Sequence, residues 1–310
     1  MNLDLLRRRT ELLDRLRAFF KQRGFLEVQT PLAAREAIPE QHIRLYQLLR
    51  DERLLQASPE MHHKRLLCAG SGPIFEVTRS FRGGEWGKLH NPEFTIVEWY
   101  RPDDDLDAAM TLTDELMQSL LGAPPAVRTS YREAFRRTLG VDPHLATAAE
   151  LKRVARGQPT LDLGVWRQAS RDDCLNFLLS LCVEQTLGNG APELLYHYPA
   201  GQSALAATTR DEQGAEVAER FELYWRGIEL ANGYHELTDP AELRERLERA
   251  NGGRVAQGWP AVPLPEELLA AMSDPGLPPC AGVALGFDRL VMLATGAASI
   301  GEVTAFLDTY

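Results

Sequence analysis

Leu5, Leu12, Leu16, Phe19 and Phe20 recur at helical spacing with arginines and acids between them, which predicts an amphipathic first helix stopped at Gly24. Phe25 to Gln29 then reads as a short strand closed by Thr30-Pro31. Two runs alternate with period 2, Phe75 to Arg82 and Phe94 to Arg101. With the glycine-rich stretch around Gly83, Gly84 and Gly87 between them, they predict a long β-hairpin with a mobile tip. Phe221 to Asn232 predicts a second hairpin turning at Arg226-Gly227. Its expected register sets Trp225 against Ile228, Tyr224 against Glu229 and Glu222 against Ala231. Glu222 and Glu229 then lie diagonally on one face. From Asp103 to about Glu219 the pattern is mainly helical, with loops or short strands near Pro199 and Ala206, and an apolar strand entering a helix begins near Gly282. Strand pairs around a helical insert predict an α+β fold, an antiparallel β-sheet flanked by helices.

The chain has 310 residues, ample for a sizeable core, and its 44% hydrophobic and 25% charged content is that of a globular protein. A net charge of -10 counts against affinity built on phosphate neutralisation, and so against a large RNA partner. None of the four cysteines stands in Cys-x-x-Cys spacing, which predicts reduced and mostly buried thiols. The N-terminus enters an amphipathic pattern directly, with no signal-like or membrane-spanning run, so a cytoplasmic protein with no membrane partner is expected.

Candidate chemistry sits at three places. Arg82, at the mouth of the first hairpin and facing Glu98 and Tyr100 on the return strand, suits a site for a phosphate and an amine. Glu222 and Glu229 could hold Mg²⁺ against a triphosphate, or be two solvated acids. Gly286 leaves room for a nucleotide to approach the backbone, and Arg289 in the following first helical turn adds a planar cation that can stack on a base.

In order along the chain, these segments resemble motifs 1, 2 and 3 of the class II aminoacyl-tRNA synthetases. The helix ending at Gly24 with Pro31 matches motif 1, Arg82 to Phe94 matches motif 2, and Gly286 to Arg289 matches motif 3. Ser58-Pro59-Glu60 with Lys64-Arg65, and Ile228 to Leu237, are similar to the lysine-pocket segments of lysyl-tRNA synthetases. The resemblance implies that residues 1–310 form one catalytic domain with a mainly helical insert around 103–219. It implies catalytic roles for Arg82 and Arg289, with Arg82 on the α-phosphate and the amino-acid carboxylate. It further implies ATP binding by Arg82, Glu85, Asn91, Phe94, Glu229, Leu230, Gly286 and Arg289, and Mg²⁺ at Glu222 and Glu229. Ser58, Glu60, Glu98, Tyr100, Asn232, Glu236 and Ala284 would form the amino-acid pocket. Motif 1 implies a homodimer.

Motif 1 begins at the first residues, so no N-terminal anticodon-binding domain is expected. This architecture resembles the elongation factor P lysine ligases, which transfer an activated (R)-β-lysine to a lysine side chain of that translation factor. Ala284 stands where lysyl-tRNA synthetases have glycine, and its methyl favours β-lysine over lysine. The alternatives are a compact enzyme charging tRNA or a small acceptor, and a non-catalytic amino-acid sensor. One departure stands out: Arg82-Gly83-Gly84-Glu85 replaces the family's Arg-Asn-Glu-Glu, so either Glu85 takes over from the lost acid or ATP affinity falls.

Overall fold

The computed structural model describes residues 3–156 and 169–306. Helix α1 (Leu3–Gln22) buries Leu12, Leu16, Phe19 and Phe20 of the stripe read from its sequence and leaves Leu5 half-buried. The chain leaves it through Gly24 at φ +79°, a conformation open to glycine. After β1 (Leu26–Glu27), strands β2 (Ala33–Ala34) and β3 (Leu54–Leu55) form a small separate ribbon, and α2 (Glu60–Cys68) follows. The first predicted hairpin is β4 (Ile74–Phe81) with β5 (Glu93–Pro102), paired from Ile74–Tyr100 to Phe81–Glu93.

The 103–219 segment supplies α3 (Leu106–Leu121), α4 (Tyr131–Leu139), α5 (Ala148–Arg156) and α6 (Arg171–Leu178). It is less helical than its pattern suggests, because β6 (Val127–Ser130), β7 (Glu193–Pro199) and β8 (Thr208–Arg210) join the central sheet. In β7, Leu194 packs into the core on one face and Leu195 into the helical insert on the other. A strand buried on both faces loses the period-2 alternation that would reveal it. Strands β9 (Glu216–Trp225), β10 (Ile228–His235) and β11 (Cys280–Gly286) complete the sheet. Its order is β1-β4-β5-β11-β10-β9-β7-β6, with β8 paired to β9. The edge pairs β1–β4 and β6–β7 are parallel, and the pairs between are antiparallel.

One face of this sheet is apolar. Val97 and Trp99 of β5 and Ala281, Val283 and Leu285 of β11 share a core with Phe20, Leu116 and Leu290. Because side chains alternate along a strand, Glu98, Tyr100, Gly282, Ala284 and Gly286 turn to the other face. All four cysteines are free thiols, as expected. Among the described residues no helix is long and apolar enough to cross a membrane.

Helix α7 (Phe287–Thr295) follows β11 directly and carries Asp288 in its first turn. Arg9 of α1 pairs with Asp288 at 2.6 Å, while the Asp288 carboxylate also accepts the Thr95 N–H of β5 at 2.7 Å. The ion pair thus fastens three elements at one buried point. Replacing Arg9 by Met leaves the Asp288 carboxylate without its cation and is expected to lower stability by about 3 kcal/mol in urea unfolding. An unchanged midpoint would show that the pair does not hold these elements together.

Candidate active site

The polar face is laid out by strand register. Glu222 pairs with Asn232, Asn232 with Ala284, Ala284 with Glu98, and Glu98 with Glu76. Directly paired residues share a face, so this row crosses five strands. The neighbouring row is Arg220, Tyr234, Gly282, Tyr100 and Ile74. The hairpin turns where expected, with Arg226 at φ +54° and Gly227 at φ +70°, and Trp225–Ile228 and Tyr224–Glu229 pair as read. The expected pairing of Glu222 with Ala231 is corrected to Asn232. A β-bulge at Leu230 inserts one extra residue, and nothing in the local sequence marks it. The bulge brings Glu229 and Asn232, an odd three residues apart, onto one face.

Above these rows lies a cavity of about 380 Å³. Every residue singled out from the sequence lines it except Glu222. Glu222 lies behind the wall, where it accepts hydrogen bonds from Tyr198 Oη at 2.6 Å and Tyr224 Oη at 2.5 Å and pairs with Arg220. Glu229 lies at the cavity wall with its side chain 41% exposed. Among the described residues no three His, Cys, Asp or Glu side chains are grouped as a metal site. Gly282 keeps the floor open: a Cβ there would fall 2.2 Å from Tyr100 Cε1 and 2.4 Å from Glu236 Oε1.

At one end of the cavity, Glu98 is buried and accepts from Ser58 Oγ at 2.5 Å and Tyr100 Oη at 3.3 Å. Burial, with the Glu60 carboxylate nearby, pushes its pKa up to about 8. Glu60 and Glu236 share the buried Lys64 ammonium, at 2.6 and 2.7 Å. Burial still raises Glu236 to about 7 against the pull of Lys64. The sequence alone assigns Lys64 no role. Its position four residues after Glu60 is the helical spacing that joins opposite charges. Tyr234, also unnamed at the sequence level, lines the cavity beside Asn232, whose Nδ2 donates to the Tyr234 hydroxyl at 3.2 Å.

At the other end, Arg82 Nε is buried without a hydrogen-bond partner, and its guanidinium stands 5.1 Å from the Phe94 ring centre. Arg289 donates to the carbonyls of Leu89 and Glu229, at 3.2 and 2.9 Å, and lies 2.7 Å from His90 Nε2. Asn91 Nδ2 donates to the Glu93 carbonyl at 2.7 Å at the root of the hairpin tip. Gly84 adopts φ +84°, where an acidic side chain would be strained, while Glu85 lines the cavity. Chemically, the cavity offers at one end a guanidinium whose Nε has no hydrogen-bond partner, and carboxylates with hydroxyls at the other.

This sheet and cavity define a class. Residues 2–309 match the family model of the class II tRNA synthetases (D, K and N), and the chain belongs to that family. Among its relatives is a protein of Klebsiella pneumoniae subsp. pneumoniae named elongation factor P–(R)-β-lysine ligase, 45% identical over 309 residues that cover 96% of this chain and 93% of the relative. A protein of the same name from Salmonella agona is 43% identical over 317 residues, with the same coverage.

A bound ammonium favours the ionised form of Glu98, and below about pH 8 that carboxyl holds a proton which must leave first. Affinity for an amine-bearing ligand is therefore expected to rise with pH up to about 8 and then level off. Calorimetric titration from pH 6.5 to 8.5 checks this, and a flat profile would remove Glu98 from the amine site.

Proposed function

We infer that this chain activates (R)-β-lysine, or lysine, with ATP as an aminoacyl-adenylate and transfers it to a lysine side chain of elongation factor P. The observation that carries the reading is the presence, in one cavity, of the Arg82 guanidinium, whose Nε has no hydrogen-bond partner, and the buried Glu98 carboxylate. The first suits an anion and the second an ammonium, and an amino acid beside a phosphate presents both. The names carried by the relatives support the acceptor, and the net charge of -10 disfavours tRNA.

In the first step the amino-acid carboxylate attacks the α-phosphorus of ATP and pyrophosphate leaves. A carboxylate is ionised at neutral pH, so no general base is required. Arg82 holds the attacking carboxylate and the α-phosphate together and offsets the charge that develops there. Phe94 and Arg289 take the two sides of the adenine, and Asn91 its edge. Glu85 and Glu229 face the nucleotide, with Leu230 and Gly286 as close backbone. Glu60, Glu98 and Glu236, with Ser58, Tyr100 and Asn232, receive the two ammonium groups, and the Ala284 methyl sets the depth of the floor. In the second step the acceptor amine attacks the adenylate carbonyl carbon, an amide forms, AMP leaves and the amine loses its proton.

Magnesium fits at Glu229, whose carboxylate is partly exposed, with Glu222 behind it already engaged by Tyr198, Tyr224 and Arg220. Bound with ATP, it would neutralise charge on the phosphates. Leu3, Leu26 and Leu32 are exposed at and after α1, which supports a homodimer through this end.

Arg82→Ala is expected to lower amino-acid-dependent pyrophosphate exchange by about 10²-fold or more while leaving thermal unfolding nearly unchanged. A variant that keeps near-normal exchange would show that the assigned role is wrong. Tyr100→Phe is expected to raise KM for the amino acid more than KM for ATP. Equal increases in the two would remove Tyr100 from the amine pocket.

A further inference from the structure

We propose that Lys64 is a specificity-determining residue of the amino-acid site, a resident cation that trims the pocket's charge to match two ammonium groups. Glu60, Glu98 and Glu236 all line the cavity. Lys64 lies on the buried side of α2 with its ammonium 2.6 Å from Glu60 and 2.7 Å from Glu236. Its side chain is 1% exposed, and the two carboxylates hold it firmly in the charged form. When all four groups are ionised, three negative charges and one positive leave two negative. That is the complement of a diamino acid whose own carboxylate is met by Arg82.

A salt bridge with a purely architectural role would use up its partners, and this one leaves an oxygen of Glu236 open. Glu236 Oε1 is buried, accepts no hydrogen bond and lies over the bare backbone of Gly282 at the cavity floor. An oxygen left in that state is costly unless a donor arrives. Lys64 therefore holds the Glu60 and Glu236 carboxylates in place at the pocket, and its charge opposes the rise that burial gives Glu236. Without it, three carboxylates crowded in a buried pocket would repel one another and take up protons. The pocket would then lose its hold on a second ammonium.

The inference rests on the adenylate-forming reading and deepens it, and pyrophosphate exchange separates the two. Lys64→Ala deletes four side-chain atoms, three carbons and one nitrogen, which n-propylamine can restore. The variant is expected to raise KM for β-lysine or lysine by about tenfold or more, with KM for ATP changed less than about twofold. Added n-propylamine should recover exchange, and n-propanol should not. Equal losses for amino acid and ATP, or recovery by neither or by both compounds, would overturn the proposal. Should Lys64→Ala fail to fold, Lys64→Met fills the space without the charge. It is expected to lose most of the preference for a diamino acid over the analogue lacking the side-chain amine, and a retained preference would equally overturn the proposal. A folded wild-type enzyme that exchanges with no amino acid would remove the proposed function and this inference with it.

Discussion

Buried charge on one face of the sheet is the constraint on which the rest depends. A carboxylate drawn out of water must find a cation or donors, or take up a proton. Glu222 is met by Arg220 and two tyrosines, and Glu76 by His63 and Thr30. Glu60 and Glu236 are met by Lys64. Glu98 has only hydroxyl partners, and Arg82 Nε has none. What the protein leaves unsatisfied supports the proposed ligand, with a cationic group beside Glu98 and an anionic one beside Arg82.

The fold supplies the distance between those two groups. The β4–β5 hairpin carries Arg82 at one end and Glu98 on the return strand, and β11 lies beside β5 with small residues at Gly282 and Ala284. The opposite face of the same strands is a close-packed apolar core, so the polar residues are held on a rigid support. The bulge at Leu230 then sets the parity of β10. Without it Asn232 would point to the core, and the cavity would lose its far wall.

Much of this was legible in the sequence. The first helix, both hairpins and the strand–helix junction at Gly286 follow from apolar periodicity and glycine placement. The residues chosen by resemblance fall on one cavity, apart from Glu222. What stayed hidden has physical causes. Strand β7 is buried on both faces and shows no alternation. A bulge is set by pairing with a neighbouring strand, which local sequence does not encode. The role of Lys64 needs Glu236, far along the chain, before its charge has meaning. At Gly84 the sequence left two outcomes open; the backbone there has a positive φ, and Glu85 is the acid of this stretch that lines the cavity.

The account's central claim is that a synthetase-type cavity is directed to a protein acceptor. The most direct measurement is intact-mass analysis of elongation factor P after incubation with this enzyme, ATP and (R)-β-lysine, run beside acid-precipitable charging of tRNA. The account predicts a mass gain of one β-lysyl group on the protein, dependent on ATP, and no charging of tRNA. Charging of tRNA with elongation factor P left unmodified would contradict it.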